Sequence, residues 1–80
     1  MVNGQKNPET TLDLRGLKCP LPALKARRAL GDLPGGAVLL VEATDPMAAI
    51  DIPHMVREAG HFLLDQQSAA GILSFRIEKR

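Results

Sequence analysis

Two proline-bearing stretches, Cys19-Pro20-Leu21-Pro22 and Thr44-Asp45-Pro46, do most to limit how this chain can fold. Proline inside a helix removes a hydrogen bond and clashes with the preceding turn. In the first turn those N–H groups have no helical partner anyway, so proline is tolerated there. Each stretch therefore marks a helix start rather than a break, and each follows a run that reads as strand. Leu12 and Leu14 alternate with Asp13 and Arg15, which predicts a strand over 11–15 with one apolar face. Residues 37–43 are apolar nearly throughout, as a central strand covered on at least one face requires.

Gly16 permits the tight turn ahead of the first helix, which reads as running to about Leu33. Ala23, Ala26, Leu30 and Leu33 share one face, with Ala29 at its edge, and so alanine-rich a stripe lets the helix lie close to a sheet. Lys25, Arg28 and Asp32 fall on the solvated side. Leu21 and Leu24 fall there too, near the cysteine; either they tuck against a neighbouring helix or they form an apolar contact patch for a partner. Pro34-Gly35-Gly36 ends the helix and turns the chain.

At the second helix start Asp45 reads as N-cap and Pro46 as first helical residue. Asp51-Ile52-Pro53 repeats the signal, with Asp51 as a further cap. The expected course is a short turn of helix over 46–50, re-aimed at Asp51, then a main helix over 52–59. Ile52, Met55, Val56 and Ala59 stand at i, i+3, i+4 and i+7, a buried face, and Gly60 suits the position past the helix end. The remainder reads as a hairpin, 61–68 and 72–79, joined by Ala69-Ala70-Gly71, with Leu73, Phe75 and Ile77 alternating against Ser74, Arg76 and Glu78. With a right-handed crossover, β-α-β-α-β-β predicts an α/β two-layer sandwich: a mixed four-stranded sheet with both helices on one face. Residues 1–10 are polar, carry Gly4 and Pro8, and read as a mobile tail; 11–80 form a single domain.

Eighty residues hold one small core without much to spare, and 45% hydrophobic content must supply it. The single cysteine rules out an intramolecular disulfide, and no metal site is expected. No stretch resembles a signal peptide or a membrane span, and a lone thiol fits a reducing compartment, so the expected location is cytoplasmic, with no membrane partner. A net charge of +1 and only two aromatic residues, Phe62 and Phe75, argue against direct nucleic-acid binding, which needs basic grooves and stacking platforms.

Cys19 falls at the seam of strand and helix, at or next to the N-cap. Free amide donors and the positive end of the helix dipole converge there, so the expectation is an exposed, easily ionised, nucleophilic sulfur. Lys18, with Arg15 or Arg27, would push the same way. A buried, inert cysteine is the opposing reading, which the flanking prolines disfavour. Asp13 either accepts backbone N–H groups in the turn or faces water. Arg27 meets a partner's carboxylates, pairs locally or lies on a solvated face. His54 and His61 read as surface residues.

The run Leu12-Asp13-x-x-Gly16-Leu17-x-Cys19-Pro20-x-Pro22 resembles the opening signature of the TusA/SirA-like sulfur-carrier proteins, a family defined by Cys-Pro-x-Pro at the start of its first helix. The resemblance extends over 12–80. Arg27 falls where members carry a basic residue, Pro34-Gly35 matches the turn before the second strand, and Thr44-Asp45-Pro46 with Asp51-Ile52-Pro53 matches the second-helix start. It implies the same βαβαββ sandwich and a small sulfurtransferase that carries sulfur as a persulfide on Cys19, with no other cofactor. The partners it implies are a cysteine desulfurase or other persulfide donor and a downstream sulfur-acceptor protein. Destinations within the family include tRNA thiolation, molybdenum-cofactor biosynthesis, oxidative sulfur metabolism and selenium handling. The expected site is Cys19 as the catalytic residue, with Lys18, Pro20, Pro22, Asp13 and Arg15 around its thiolate or persulfide. Leu21, Leu24, Arg27 and Arg28 are the expected docking residues of a monomer. Without a second thiol the chain cannot resolve a mixed disulfide internally, so a persulfide would wait for another protein. The competing readings are a non-catalytic regulatory or interaction module on this fold, and a one-cysteine redox sensor.

Overall fold

The computed structural model describes residues 9–80, in which the chain runs β1 (Glu9–Leu14), α1 (Leu21–Gly31), β2 (Val38–Ala43), α2 (Ala48–Ala59), β3 (Phe62–Ala69) and β4 (Ile72–Glu78). The sheet order is β1-β2-β4-β3, with β1 parallel to β2 and both β2 and β3 antiparallel to β4. The two most apolar strands thus sit at the centre. Leu39, Val41, Ala43, Phe75 and Ile77 meet Ala26 and Leu30 of α1 and Ile52, Met55 and Val56 of α2 in one core. This is the expected two-layer α/β sandwich. Neither helix is long and apolar enough to cross a membrane.

β1 begins at Glu9, earlier than the alternation predicts, because β2 offers partners along its whole length: Glu9 and Thr10 pair with Val38 and Leu39. The Glu9 carboxylate also meets the Arg76 guanidinium. Of the tail expected over 1–10, residues 1–8 lie outside the described residues, and Glu9 and Thr10 belong to the sheet.

α1 stops at Gly31 rather than Leu33. The Asp32 and Leu33 amides donate to the Ala29 and Leu30 carbonyls, each at 3.1 Å, closing a tighter last turn. Lys79 Nζ then donates to the Leu30 and Leu33 carbonyls at 2.7 and 3.0 Å, placing a cation on the negative end of the helix. Its buried stripe is Pro22, Ala26 and Leu30, so Pro22 packs inward instead of lining the sulfur.

α2 is one continuous helix, where two segments meeting at Asp51 are expected. The turn from Asp45 uses tight i+3 bonds, with the Ala48 amide on the Asp45 carbonyl at 2.9 Å and the Ala49 amide on the Pro46 carbonyl at 3.1 Å. Asp45 caps that turn by accepting the Met47 N–H at 3.1 Å. Pro53 removes the N–H that would reach the Ala49 carbonyl, and Gln66 Nε2 of β3 donates to that oxygen instead, at 3.5 Å. Ala48, Ile52, Met55 and Val56 form one unbroken buried face, which holds the helix together through the proline.

The β3–β4 connection is the dipeptide Ala70-Gly71, with φ of 52° and 80°. Both residues are left-handed, as a type I′ turn demands, yet alanine is strained there. Ala70→Asn is expected to stabilise the protein by about 1 kcal/mol and raise Tm by about 4–8 °C, measured by thermal unfolding.

Candidate active site

Parallel pairing of β1 and β2 carries both chains to the same sheet edge before each turns into its helix, so the loops around Cys19 and Asp45 meet. Gly16 takes φ +85° and donates its N–H to Thr44 Oγ1 at 2.8 Å, which ties the loops together. The Leu21 N–H bonds the Lys18 carbonyl at 2.9 Å, and α1 begins after Pro20 as N-cap. Cys19 lies just ahead of that cap and is exposed. The Cys19–Pro20 bond is cis.

Two aspartates from the second helix start hold this cysteine. Asp45 Oδ2 accepts the Cys19 N–H at 2.5 Å, and Asp51 Oδ2 lies 2.9 Å from Cys19 Sγ. Asp51 is therefore not a cap; it stands in the first turn of α2 with its carboxylate on the sulfur. The hydrogen bond to Asp51 is the largest influence on the thiol, followed by desolvation and by the charges of Asp51 and Asp45, and all of them push its pKa up. The lowered pKa expected from the helix start is overturned. A thiolate would be repelled by the adjacent carboxylates. The prolines that mark the helix start also leave few amides to offset this, since Pro22 has no N–H and that of Leu21 is already engaged.

The expected cations act elsewhere. Arg15 forks onto Asp13 at 2.8 and 2.9 Å and adds its own backbone N–H at 3.1 Å. Those bonds hold the Asp13 carboxyl at about 2, so of its two readings Asp13 takes the turn-orienting one. Lys18 lends its charge to Asp45, whose pKa is lowered first by the Cys19 N–H, then by that of Met47. His61 accepts the Arg80 N–H at Nδ1, 3.1 Å away, and is depressed by burial and then by Lys79, Arg27 and Arg80. The side-chain partner of the sulfur is thus a carboxylate, not an imidazole. Among the described residues no group of three His, Cys, Asp or Glu converges to hold a metal ion.

Leu21 and Leu24 are 43% and 56% exposed, so neither is tucked against a helix. Met47 and Ile50, at the start of α2 and close in sequence to Asp45 and Asp51, are also exposed, at 45% and 64%. Sequence reasoning passed over both, although they fall off the Ile52–Met55–Val56 stripe and so face outward. A groove of about 280 Å³ runs away from Asp51 between the helices, lined by Ala23, Leu24, Arg27, His54, Met55 and Glu58. Arg27 belongs to this groove, with His54 3.9 Å from Glu58. Arg28 does not: it lines a separate hollow with Leu12 and Asp32 over β1.

Known proteins resemble this chain over most of its length. The family model described as sulfurtransferase TusA matches residues 10–79. The sulfur carrier protein TusA of Pseudomonas putida (strain GB-1) is 40% identical over 73 residues, 91% of each chain. That of Pseudomonas fluorescens is 44% identical over 69 residues, covering 86% of this chain and 83% of the relative. A solved SirA-like protein from Desulfitobacterium hafniense shares the fold, with a TM-score of 0.77 at 24% identity over 86% of this chain and 95% of its own. On a match that runs from the first strand to the last, the chain belongs to the TusA sulfurtransferase family.

Proposed function

We propose that this sulfur carrier holds its cargo as a persulfide on Cys19, taking it from a donor such as a cysteine desulfurase and passing it to an acceptor protein. The observation that carries this reading is the exposure of the chain's one thiol, with a carboxylate 2.9 Å from its sulfur, at the open end of two parallel strands. In loading, the Cys19 sulfur attacks the terminal sulfur of a donor persulfide R–S–SH. The donor's S–S bond breaks, its inner sulfur leaves with the bonding pair and a proton as R–SH, and Cys19–S–SH remains. Delivery is the same exchange in reverse, with the acceptor as nucleophile. No oxidant or reductant is consumed, and no second thiol is present to discharge the persulfide early.

Turnover belongs to the relay: each cycle needs a donor and an acceptor, and the carrier is the exchanged group's intermediate holder. A lone exposed thiol supports a reducing compartment, the cytoplasm, as the place of work. With a cysteine desulfurase and isotopically labelled cysteine, one labelled sulfur should appear on the peptide bearing Cys19. Label on no peptide, with active desulfurase, would overturn the proposal.

Leu21, Leu24, Met47 and Ile50 make the docking surface around the sulfur, with Arg27 as its charged margin. Leu24→Ser combined with Ile50→Ser removes two apolar anchors without adding charge near the thiol. The rate of transfer from a protein donor is expected to fall about thirtyfold or more, as loss of roughly 2 kcal/mol of hot-spot contact implies. Alkylation by iodoacetamide, which needs no docking, should keep its rate.

A further inference from the structure

The geometry points to Asp51 as the catalytic proton carrier of the sulfur exchange: it takes the Cys19 proton as the sulfur attacks, and returns a proton to the departing sulfur. This rests on the persulfide reading of Cys19. A general base must lie within hydrogen-bond reach of the group it deprotonates, about 2.6–3.2 Å between heavy atoms, and Asp51 Oδ2 is 2.9 Å from Cys19 Sγ.

Among the described residues no other titratable side chain hydrogen-bonds the sulfur. Asp45 accepts the N–H groups of Cys19 and Met47 with its two oxygens, a structural duty that keeps it ionised. Lys18 lends its charge to Asp45, and Arg15 is forked onto Asp13. In the groove beside Asp51, α1 contributes Arg27 and α2 contributes His54 and Glu58, with His54 facing Glu58. Asp51 itself is anchored in the first turn of a helix whose buried face packs on the sheet, so its carboxylate approaches the sulfur from a rigid support.

The step balances as follows. The S–H bond of Cys19 breaks and its proton moves to Asp51 Oδ2 while Sγ forms a bond to the donor's terminal sulfur. The donor's S–S bond breaks, and the inner sulfur departs with the electron pair and takes the proton from Asp51. The products are R–SH, Cys19–S–SH and an ionised Asp51, ready for the next exchange. In delivery the same carboxylate helps return a proton to Cys19 Sγ as the acceptor removes the terminal sulfur. The arrangement keeps the resting sulfur as a thiol and ionises it only when a sulfur acceptor bond is being made.

The test compares two reactions of Cys19 in the full chain: alkylation by iodoacetamide across pH, and loading from glutathione persulfide at neutral pH. Asp51→Asn should move the alkylation midpoint to lower pH and speed alkylation near neutrality, because the repelling charge is gone. Loading by the same variant should slow about a hundredfold, because the proton carrier is gone. Asp51→Glu should recover part of the loading rate. Opposite signs for the two reactions support the proposal, since a purely electrostatic brake would raise both together. If Asp51→Asn loads faster in step with its alkylation, the proposal is overturned. If the unsubstituted protein is alkylated at Cys19 yet takes up no sulfur, the carrier reading fails first, and this proposal with it.

Discussion

Cys19→Ser is expected to abolish sulfur loading to background while leaving the fold intact. A hydroxyl does not attack sulfane sulfur under conditions in which a thiol does, and no other residue in the chain can replace it. The substitution is mild structurally. Cys19 is exposed, its backbone N–H still reaches Asp45, and a serine hydroxyl can donate to Asp51 where the thiol did. The stability change should stay within about 0.5 kcal/mol, as for surface positions generally. Label transfer from a desulfurase, run beside a urea denaturation curve, reads both halves. Retained cellular function in Cys19→Ser would instead assign this fold to binding alone.

Phe75→Ala is expected to remove much of the protein's stability. Phe75 is fully buried on β4, between Val41 of β2 and Gln66 of β3, and is the largest side chain wholly out of water. Truncating a buried phenylalanine costs about 3–5 kcal/mol. A domain of this size has about 4–12 kcal/mol in total. The urea midpoint should fall by about 2 M with the slope unchanged, and a change below about 0.5 M would mean the core is not closed around this ring. Among the described residues no helix lies on the far side of the sheet to compensate, since both α1 and α2 pack on one face.

The parts of the fold carried by local chemistry were legible in the chain. Leu73, Phe75 and Ile77 announced β4 by alternation, and Pro20 announced a helix start that is found one residue later. Exposure of Cys19 followed from the same prolines. The environment of its sulfur did not, because it is set by a residue 32 positions away. Asp51 looks like a cap when only its neighbours Ile52 and Pro53 are considered. It becomes the sulfur's partner because parallel pairing of β1 and β2 brings both helix starts to one edge. Pro53 misled for a related reason: the long-range bond from Gln66 that satisfies the Ala49 carbonyl is invisible along the chain. Arg27 and Arg28 are adjacent in sequence, yet the turn of α1 puts one in the groove beside Asp51 and the other over β1.

The strand register also gives the molecule a polarity. Leu14, Ala43 and Leu73 lie level with one another at the end that leads to Cys19, and Glu9, Val38 and Glu78 lie level at the other. Arg80 follows at that second end, its N–H on His61 and its carbonyl close to Gly35. A six-residue strand, about 20 Å, separates the two ends. A linker or solid support joined after Arg80 would therefore hold the protein by its base and leave the thiol facing outward. A carrier tethered in this way remains open to donor and acceptor in turn, much as a swinging prosthetic arm is, but with the whole domain as the arm.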